Sequence, residues 1–422
     1  MHPLGLRHVR VLVVGSGARE HALCRGLKLD PSVSAVHCAP GNAGIAEVAT
    51  RHEVNPMDGA SVAALAVRLG ADLVVIGPEA PLVAGVADAV RAHGIPCFGP
   101  SAAAAKIEGS KSFAKDVMTE AGVPTGRSFT CVTPAEAAAA LDEFGPPYVV
   151  KDDGLAAGKG VVVTWDRDAA LAHAAACERV VVEEFLDGPE VSLFALCDGE
   201  SAVALQPAQD YKRAYDGDEG PNTGGMGAYT PLPWAPDGLT ERIMAEVVLP
   251  TVAELGRRGI PYAGVLYAGL ALTAKGPRVI EFNARFGDPE TQVVLDRLET
   301  PLGQLLLACA TGALAGQKPL TYREGAAVTV VVAAENYPAD PVKGDVIAGL
   351  EPQAEGSYVL HAGTETRDGE IVSNGGRVLS VVGTGADLAE ARRRAYETVG
   401  GIRLRGAFHR TDIAAPTWED IV

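Results

Sequence analysis

The sequence reads as a multidomain protein of α/β and α+β class, with an N-terminal parallel α/β sheet, a mixed central core and a strand-rich C-terminal unit. Three observations carry this. Short apolar runs alternate with helical stretches over residues 9–100, the pattern of a parallel sheet with ligands at the carboxyl ends of its strands. A Gly-rich hairpin follows near residue 155. After about Gly325 the pattern turns to strands closed by one helix.

In order, Val11–Val14 is a buried strand, followed by Gly15-Ser16-Gly17 and a helix to about Leu29. Ser34–Cys38, Asp72–Ile76 and Pro96–Phe98 are further strands, with a helix over Leu82–His93, so the loops at Gly15, Gly41 and Glu79 should share one sheet edge. Lys111–Ala121 is helical. Tyr148–Lys151 and Val161–Thr164 form a hairpin, then come helix 168–177 and strand Val180–Glu184. From Val191 to Asp296 the pattern is strand-rich, interrupted by a Gly-rich loop at 216–229. Pro301–Leu314 is helical. Strands at Ala326–Ala333, Ser357–Ala362, Glu370–Ser373 and Val378–Gly383 precede a helix over Asp387–Val399. The alanine runs at 102–105 and 137–140 are helix formers.

A length of 422 residues allows two to four domains of about 150 residues each. With 47 % hydrophobic and 21 % charged residues, a packed globular protein is expected. The net charge of −17 argues against a nucleic-acid or acidic-membrane partner, because both polyanions are held by basic patches. Seven dispersed cysteines with no C-x-x-C pair fit reduced, mostly buried thiols, and no H-x-x-x-H pair occurs. There is no signal-peptide core and no run of about 18 apolar residues, so the cytoplasm is the expected compartment.

Four constellations could carry chemistry. Gly15-Ser16-Gly17-Ala18-Arg19-Glu20 sits between a strand and a helix, where backbone amides can approach an anion. Glu20 stands where a dinucleotide fingerprint needs its third glycine, so a single sugar phosphate fits better than NAD, and a simple tight turn fits too. Lys151-Asp152-Asp153-Gly154-Leu155-Ala156-Ala157-Gly158-Lys159-Gly160 is not a Walker A loop, since three residues separate its first glycines and no Ser or Thr follows the lysine. A flexible hairpin tip can still fold over a triphosphate. Lys151, inside an apolar strand, needs a phosphate or a nearby acid as partner. Val182–Glu190 could offer its backbone to an adenine and a carboxylate to a ribose, or be only a strand and turn. Pro221–Tyr229, next to Asp210-Tyr211-Lys212-Arg213, is glycine-rich enough for close backbone approach to a ligand, or for a surface loop.

The stretch from Ile280 to Glu290 adds a polar pair. As a strand it puts Glu281 and Asn283 on one face and Ile280 and Phe282 on the other. A carboxylate and an amide oxygen side by side are hard ligands of the kind Mg²⁺ takes together with phosphates. The same alternation fits an edge strand with a solvated polar face.

Taken together, these stretches resemble the ATP-grasp ligases, and among them the glycinamide ribonucleotide synthetase family. The resemblance runs from Val11 to about Arg410. Its most specific pieces are Gly77–Leu82, Glu108-Gly109-Ser110-Lys111, Asp153–Gly160, Pro221–Tyr229 and Glu281–Gln292, with Asn374-Gly375-Gly376-Arg377 near the end. It implies an N-terminal substrate domain over 1–105, an ATP-grasp double-domain core over 106–325 with a lid subdomain at about 124–187, and a C-terminal α+β domain over 326–422. It implies ATP-dependent joining of glycine to 5-phosphoribosylamine through glycyl phosphate, in de novo purine synthesis. The implied partners are these small molecules alone, with no nucleic acid and no membrane, in a monomer or weak homo-oligomer.

Carried onto matching positions, Glu281 and Asn283 resemble the Mg²⁺ or Mn²⁺ ligands. Lys106 and Lys151 resemble the lysines on the ATP phosphates, and Gly158, Lys159 and Gly160 the mobile loop above them. Glu183, Glu184, Phe185 and Leu186 resemble the adenine-facing connector, with Glu190 on the ribose. Gly15, Gly17 and Glu79 resemble contacts to the ribose phosphate. Asp210, Gly224, Gly225 and Asp288 resemble the rest of the substrate site, and Arg285 with Lys212 the catalytic pair. Two departures stand out. The segment from Thr164 to Val180 is short for the family, and Asp152 stands where alanine is frequent, on a strand position that should face away from Lys151. Other readings are a different ATP-grasp carboxylate–amine ligase, a bicarbonate-using carboxylase-like enzyme, or a non-catalytic nucleotide-binding module.

Overall fold

The computed structural model describes residues 8–155 and 160–416. Its N-terminal sheet runs in the order Thr50–Arg51, Val33–Pro40, Val9–Gly15, Leu73–Ile76 and Cys97–Phe98, every neighbouring pair parallel. Val11 to Val14 are fully buried because helices cover both faces of such a sheet. The Gly41 N–H donates to the Gly15 carbonyl at 3.0 Å, so the loops after the first two strands share one edge as expected. The helix expected over Leu82–His93 is split into Glu79–Val83 and Val86–Ala92 at Gly85. A further helix, Gly59–Leu69, beyond those expected from the sequence, is capped by the Asp58 side chain and closed by Gly70.

The hairpin strands belong to a four-stranded antiparallel sheet in the order Ser128–Cys131, Val180–Glu183, Tyr148–Asp152 and Val161–Thr164. Helices Pro134–Phe144 and Arg167–Ala176 pack on it. Its core is its own small set of alanines and valines with Cys131 and Leu141, separate from the main core. A second antiparallel sheet follows in the order Ala202–Ala204, Glu190–Asp198, Ala263–Thr273 and Gly276–Asn283.

The strand-rich expectation for 191–296 needs correction. Helical backbone runs from Leu239 through a π-turn to Arg257, and again over Glu290–Arg297. Leu239, Ile243, Val247 and Leu255 are buried at the three- to four-residue spacing of a helix face, a period lost among the neighbouring valines. The expected loop at 216–229 contains a hairpin, Arg213–Tyr215 with Glu219–Asn222, and then strand Gly227–Thr230. That strand and Gln209–Asp210 pair into the C-terminal sheet, which runs Gln209–Asp210, Gly227–Thr230, Ala326–Ala333, Arg377–Gly385 and Ser357–His361. The C-terminal sheet therefore borrows strands from before residue 326, and it presents Asp210 and the 223–226 loop toward the middle of the molecule. All seven cysteines are free thiols, and all but Cys177 are buried. No helix among the described residues is long and apolar enough to cross a membrane.

Helix Ala18–Leu29 meets the C-terminal sheet through two buried histidines. The His361 N–H donates to His21 Nδ1 at 2.9 Å, and His361 Nδ1 lies 3.0 Å from Thr364 Oγ1. Burial, then the neighbouring His361, lowers His21 to about 3, and burial lowers His361 to about 4. Both rings are therefore neutral in the folded protein at neutral pH. Below about pH 6.5 the unfolded chain takes up protons that the folded rings refuse, so stability falls as pH falls from there toward pH 3–4. The expected loss between pH 7.5 and pH 5 is about 2 kcal/mol for each histidine. Urea midpoints at the two pH values check this, and His361→Gln should remove its share of the slope.

Candidate functional site

Glu281 lies near the end of strand Gly276–Asn283, directly opposite Gly269. A bulge between Gly269 and Leu270 leaves Ile280 out of the ladder and frees its carbonyl. Glu281 and Asn283 do share a face: Asn283 Nδ2 donates to Glu281 Oε1 at 3.4 Å. Burial pushes the Glu281 carboxyl up, but Lys212 and Lys151 outweigh it and hold the group below its ordinary value. An ionised carboxylate with one long hydrogen bond, beside an amide, suits a hard divalent cation. Among the described residues no three His, Cys, Asp or Glu gather as a cage, so a cation here would complete its shell with phosphate oxygens and water.

Lys151 and Lys115 converge on one buried carboxylate. Their ammonium groups lie 3.1 and 3.2 Å from Glu183 Oε2. Lys115 also donates to Thr125 Oγ1 at 2.8 Å and the Gly126 carbonyl at 3.2 Å, which fills its three donors. Among the described residues Lys151 donates besides only to the freed Ile280 carbonyl, at 2.8 Å, which leaves one N–H for a ligand. Two ammonium groups on one carboxylate leave a buried positive charge beside Glu281, which favours an anion such as phosphate. Lys111 adds to this field: its Nζ donates to the Gly154 carbonyl at 3.0 Å, and its charge helps keep Glu281 ionised.

Lys106 does not join these cations. It is exposed on helix Ala102–Gly109, two residues from the buried Glu108. The ammonium group that stands beside that of Lys151 belongs to Lys115, on the inner face of helix Lys111–Ala121. Its signal was a charge on the apolar stripe formed by Ala114, Val117 and Met118. Glu183, expected on the nucleotide, carries the ammonium groups of both lysines. Glu184 ties the connector to Arg127, with Glu184 N donating to the Arg127 carbonyl at 2.9 Å and the Arg127 N–H donating to Glu184 Oε2 at 3.1 Å. Phe185 is 42 % exposed and Leu186 half-buried.

Gly158 and Lys159 lie outside the described residues; Gly160 accepts the Asp152 N–H at 2.7 Å at the foot of the hairpin. The hairpin is anchored by Asp153, whose side chain is fully buried. It accepts from Ser110 Oγ at 3.1 Å and the Ser112 N–H at 3.0 Å, and pairs with Arg179 at 2.6 Å. Asp152 does face away from Lys151: its charge acts on the Cys177 thiol, which burial and then Asp152 push up.

Three carboxylates, Asp210, Glu190 and Glu281, act on Lys212. Its ammonium pairs with Glu190 and lies 3.5 Å from Asp210. Burial works against its charge, yet Asp210 and Glu190 hold it firmly protonated. Burial raises Asp210 to about 7 despite Lys212, with Glu290 adding to the rise. Glu290 is buried and accepts from Tyr267 OH at 2.6 Å and Ser192 Oγ at 3.1 Å. Glu190, expected on a ribose, is thus already engaged by Lys212.

Arg285 is held by its neighbours on every side. Nε donates to Glu79 Oε2 at 3.2 Å, Nη2 lies 3.1 Å from Glu108 Oε1 and donates to Asn283 Oδ1 at 3.2 Å. Burial opposes its charge, but Glu108 and Glu79 keep it protonated. Burial raises Glu108 to about 7 against the pull of Arg285. Burial also raises Glu79, but Arg285 and Arg19 overcome it and hold Glu79 below its ordinary value. Arg285 therefore links Asn283, and through it Glu281, to Glu79 on the N-terminal sheet edge.

The Gly15–Gly17 cradle holds a protein carboxylate. Glu20 Oε2 accepts the Gly17 N–H at 2.6 Å, and its other oxygen accepts Arg19 Nε at 2.6 Å. A Cβ on Gly15 would meet Glu20 Cγ at 2.6 Å, and one on Gly77 would overlap its carboxylate. These glycines, expected at the ribose phosphate, make room for the Glu20 side chain. Gly224 and Gly225, expected at the substrate, are likewise packed against protein groups. Their N–H groups donate to Tyr337 OH and Thr223 Oγ1, each at 3.0 Å. Gly225 has φ +114°, and a Cβ there would come 2.5 Å from Pro289 Cδ, so it is needed for close packing on the Asp288-Pro289 turn. Asp288 accepts from Gln292 Nε2 at 2.8 Å and the Arg19 N–H at 3.3 Å. Burial raises it, but Arg377 and Arg19 hold it ionised.

Comparison with known proteins adds the lineage. Models of the phosphoribosylglycinamide synthetase N domain, ATP-grasp (A) domain and C domain match residues 9–108, 109–291 and 327–416. The phosphoribosylamine–glycine ligase of Streptomyces coelicolor is 68 % identical over 411 residues, covering 96 % of this chain and 99 % of that one. The crystal structure of the phosphoribosylamine–glycine ligase of Thermotoga maritima superposes with a TM-score of 0.83 at 35 % identity, covering 96 % and 100 %. The biotin carboxylase domain of a Hydrogenobacter thermophilus 2-oxoglutarate carboxylase shares the fold, with a TM-score of 0.75 at 18 % identity over 97 % and 94 % of the two chains. With an ATP-grasp core in place and all three family domains matched in order, the chain belongs to the phosphoribosylglycinamide synthetase family.

Proposed function

We propose that this ATP-dependent ligase joins the carboxylate of glycine to the amine of 5-phosphoribosylamine, giving glycinamide ribonucleotide, ADP and phosphate in de novo purine biosynthesis. The observation that carries the reading is the convergence of Lys151 and Lys115 on Glu183, beside the ionised Glu281 and its Asn283 neighbour. That arrangement supplies surplus positive charge for a triphosphate next to hard oxygen ligands. Glu281 and Asn283 would hold Mg²⁺ or Mn²⁺, which would neutralise phosphate charge. Lys151 donates its remaining N–H to a phosphate oxygen, and the connector at Phe185–Leu186 receives the adenine. The glycine carboxylate attacks the γ-phosphorus, ADP leaves, and the amine then attacks the carbonyl carbon of glycyl phosphate and expels phosphate. Positioning and charge neutralisation carry the rate in such a transfer.

Arg285 and Lys212 bound the space between the triphosphate site and the N-terminal sheet edge, where Glu79 and Asp288 face the acceptor. Three units, divided near 105 and 325, serve as the working division, in a cytoplasmic monomer or weak homo-oligomer. ADP release from the purified chain with ATP, Mg²⁺, glycine and 5-phosphoribosylamine tests the reading. Turnover is expected only with both substrates present. ADP release stimulated by bicarbonate without glycine would instead favour a carboxylase-like reaction.

A further inference from the structure

Arg377 opens strand Arg377–Gly385 of the C-terminal sheet, a position to which no role in the reaction has been attached. Its guanidinium is directed away from its own sheet. Nη1 donates to the Gly224 carbonyl at 2.7 Å and the Asp288 carbonyl at 2.6 Å, and lies within reach of the Gly225 carbonyl at 3.3 Å. The Asp288 carboxylate is 3.5 Å from the same nitrogen. From the same sheet region, Tyr337 OH accepts the Gly224 N–H at 3.0 Å. One nitrogen thus gathers carbonyls from two separate loops, and the close approach of Gly225 to Pro289 leaves no slack between them. These loops carry Gly224, Gly225 and Asp288 and flank Lys212, whose carbonyl accepts both the N–H and the hydroxyl of Thr223.

We propose that Arg377 is a positioning residue: from the C-terminal sheet it clamps the 224–225 loop to the Asp288-Pro289 turn and so fixes Asp288 and Lys212 for the acceptor half of the reaction. The proposal rests on the reading that these loops line the substrate side of the site. A carbonyl cluster attracts a cation. The planar guanidinium fixes the direction from which Nη1 meets it, whereas lysine would bring its ammonium on a flexible stem with no such fixed direction. The hydrogen bonds of the clamp involve neither Glu183 nor its two lysines, so it should act on the acceptor and not on nucleotide binding.

Arg377→Ala, Arg377→Lys and the unaltered chain, assayed for ADP release against each substrate in turn, test this. Arg377→Ala is expected to lower kcat/KM for 5-phosphoribosylamine on the order of 10²-fold, the effect of about 1 Å of misplacement. The KM for ATP should stay within about twofold, because ground-state binding of the nucleotide is untouched. Arg377→Lys should fall between, and millimolar guanidinium should restore part of the Arg377→Ala loss. Activity of Arg377→Ala within threefold of the parent overturns the proposal. So does a loss without guanidinium rescue that accompanies a lower melting temperature and a raised KM for ATP. If the unaltered chain itself shows no turnover dependent on glycine and the amine, the functional reading fails first and this proposal with it.

Discussion

Glu281→Gln is expected to lower glycine-dependent ADP release by about 10³-fold, or ~4 kcal/mol of transition-state stabilisation, with little change in melting temperature. Glutamine keeps the shape of the side chain and can still accept from Asn283, so the strand register opposite Gly269 should survive. The lysines around Glu281 each retain other partners: Glu190 and Asp210 for Lys212, Glu183 for Lys151, and the Gly154 carbonyl for Lys111. What disappears is the negative charge, which Lys212 and Lys151 keep in place throughout the physiological pH range. That charge is the property a hard divalent cation requires. Steady-state turnover at rising Mg²⁺ or Mn²⁺ should show a weakened metal requirement curve with partial recovery at saturation. A fall of less than tenfold rejects the ligand assignment.

The sequence disclosed the parts whose chemistry is local. The parallel N-terminal sheet was visible because its strands are continuous apolar runs ending in glycine turns, as at Val11–Val14 and Gly15. The adjacency of Glu281 and Asn283 followed from a period of two and survived the bulge at Ile280, since that bulge lies before both residues. Hidden were the long-range pairings. Nothing adjacent to Glu183 shows that Lys115, 68 positions earlier, and Lys151 would both reach it. Nothing near Gly15 shows that Glu20 folds back into the cradle the glycines leave open. In both cases a glycine or a carboxylate that suits a ligand also suits a protein partner, and only tertiary contacts decide between them. The helices at 239–257 and 290–297 were obscured for a different reason, because their valine-rich stretches also satisfy strand propensity.

The lysine arrangement yields the second large effect. Lys151→Met should cut turnover by roughly 10²–10³-fold, as for the loss of one preorganised donor to developing charge. The fold should tolerate it, since Glu183 keeps Lys115 at 3.2 Å and methionine occupies similar volume. Lys106→Ala, at an exposed helix position, should leave turnover within about twofold and stability within about 0.5 kcal/mol. Reversal of that order, with Lys106→Ala inactive and Lys151→Met active, would restore Lys106 as the phosphate lysine and reject the arrangement described here. Glu183→Gln separates the two roles this carboxylate could have. As counter-ion of two buried lysines, its loss leaves both ammonium groups facing a neutral amide, and about 3–5 kcal/mol of stability should disappear. As a nucleotide contact only, the same change would weaken ATP binding and spare the melting temperature. Urea unfolding of Glu183→Gln with and without saturating ATP distinguishes these outcomes: the counter-ion role predicts a large loss in apo protein that bound triphosphate, by lying against the lysines, cannot fully replace at the buried Glu183 position.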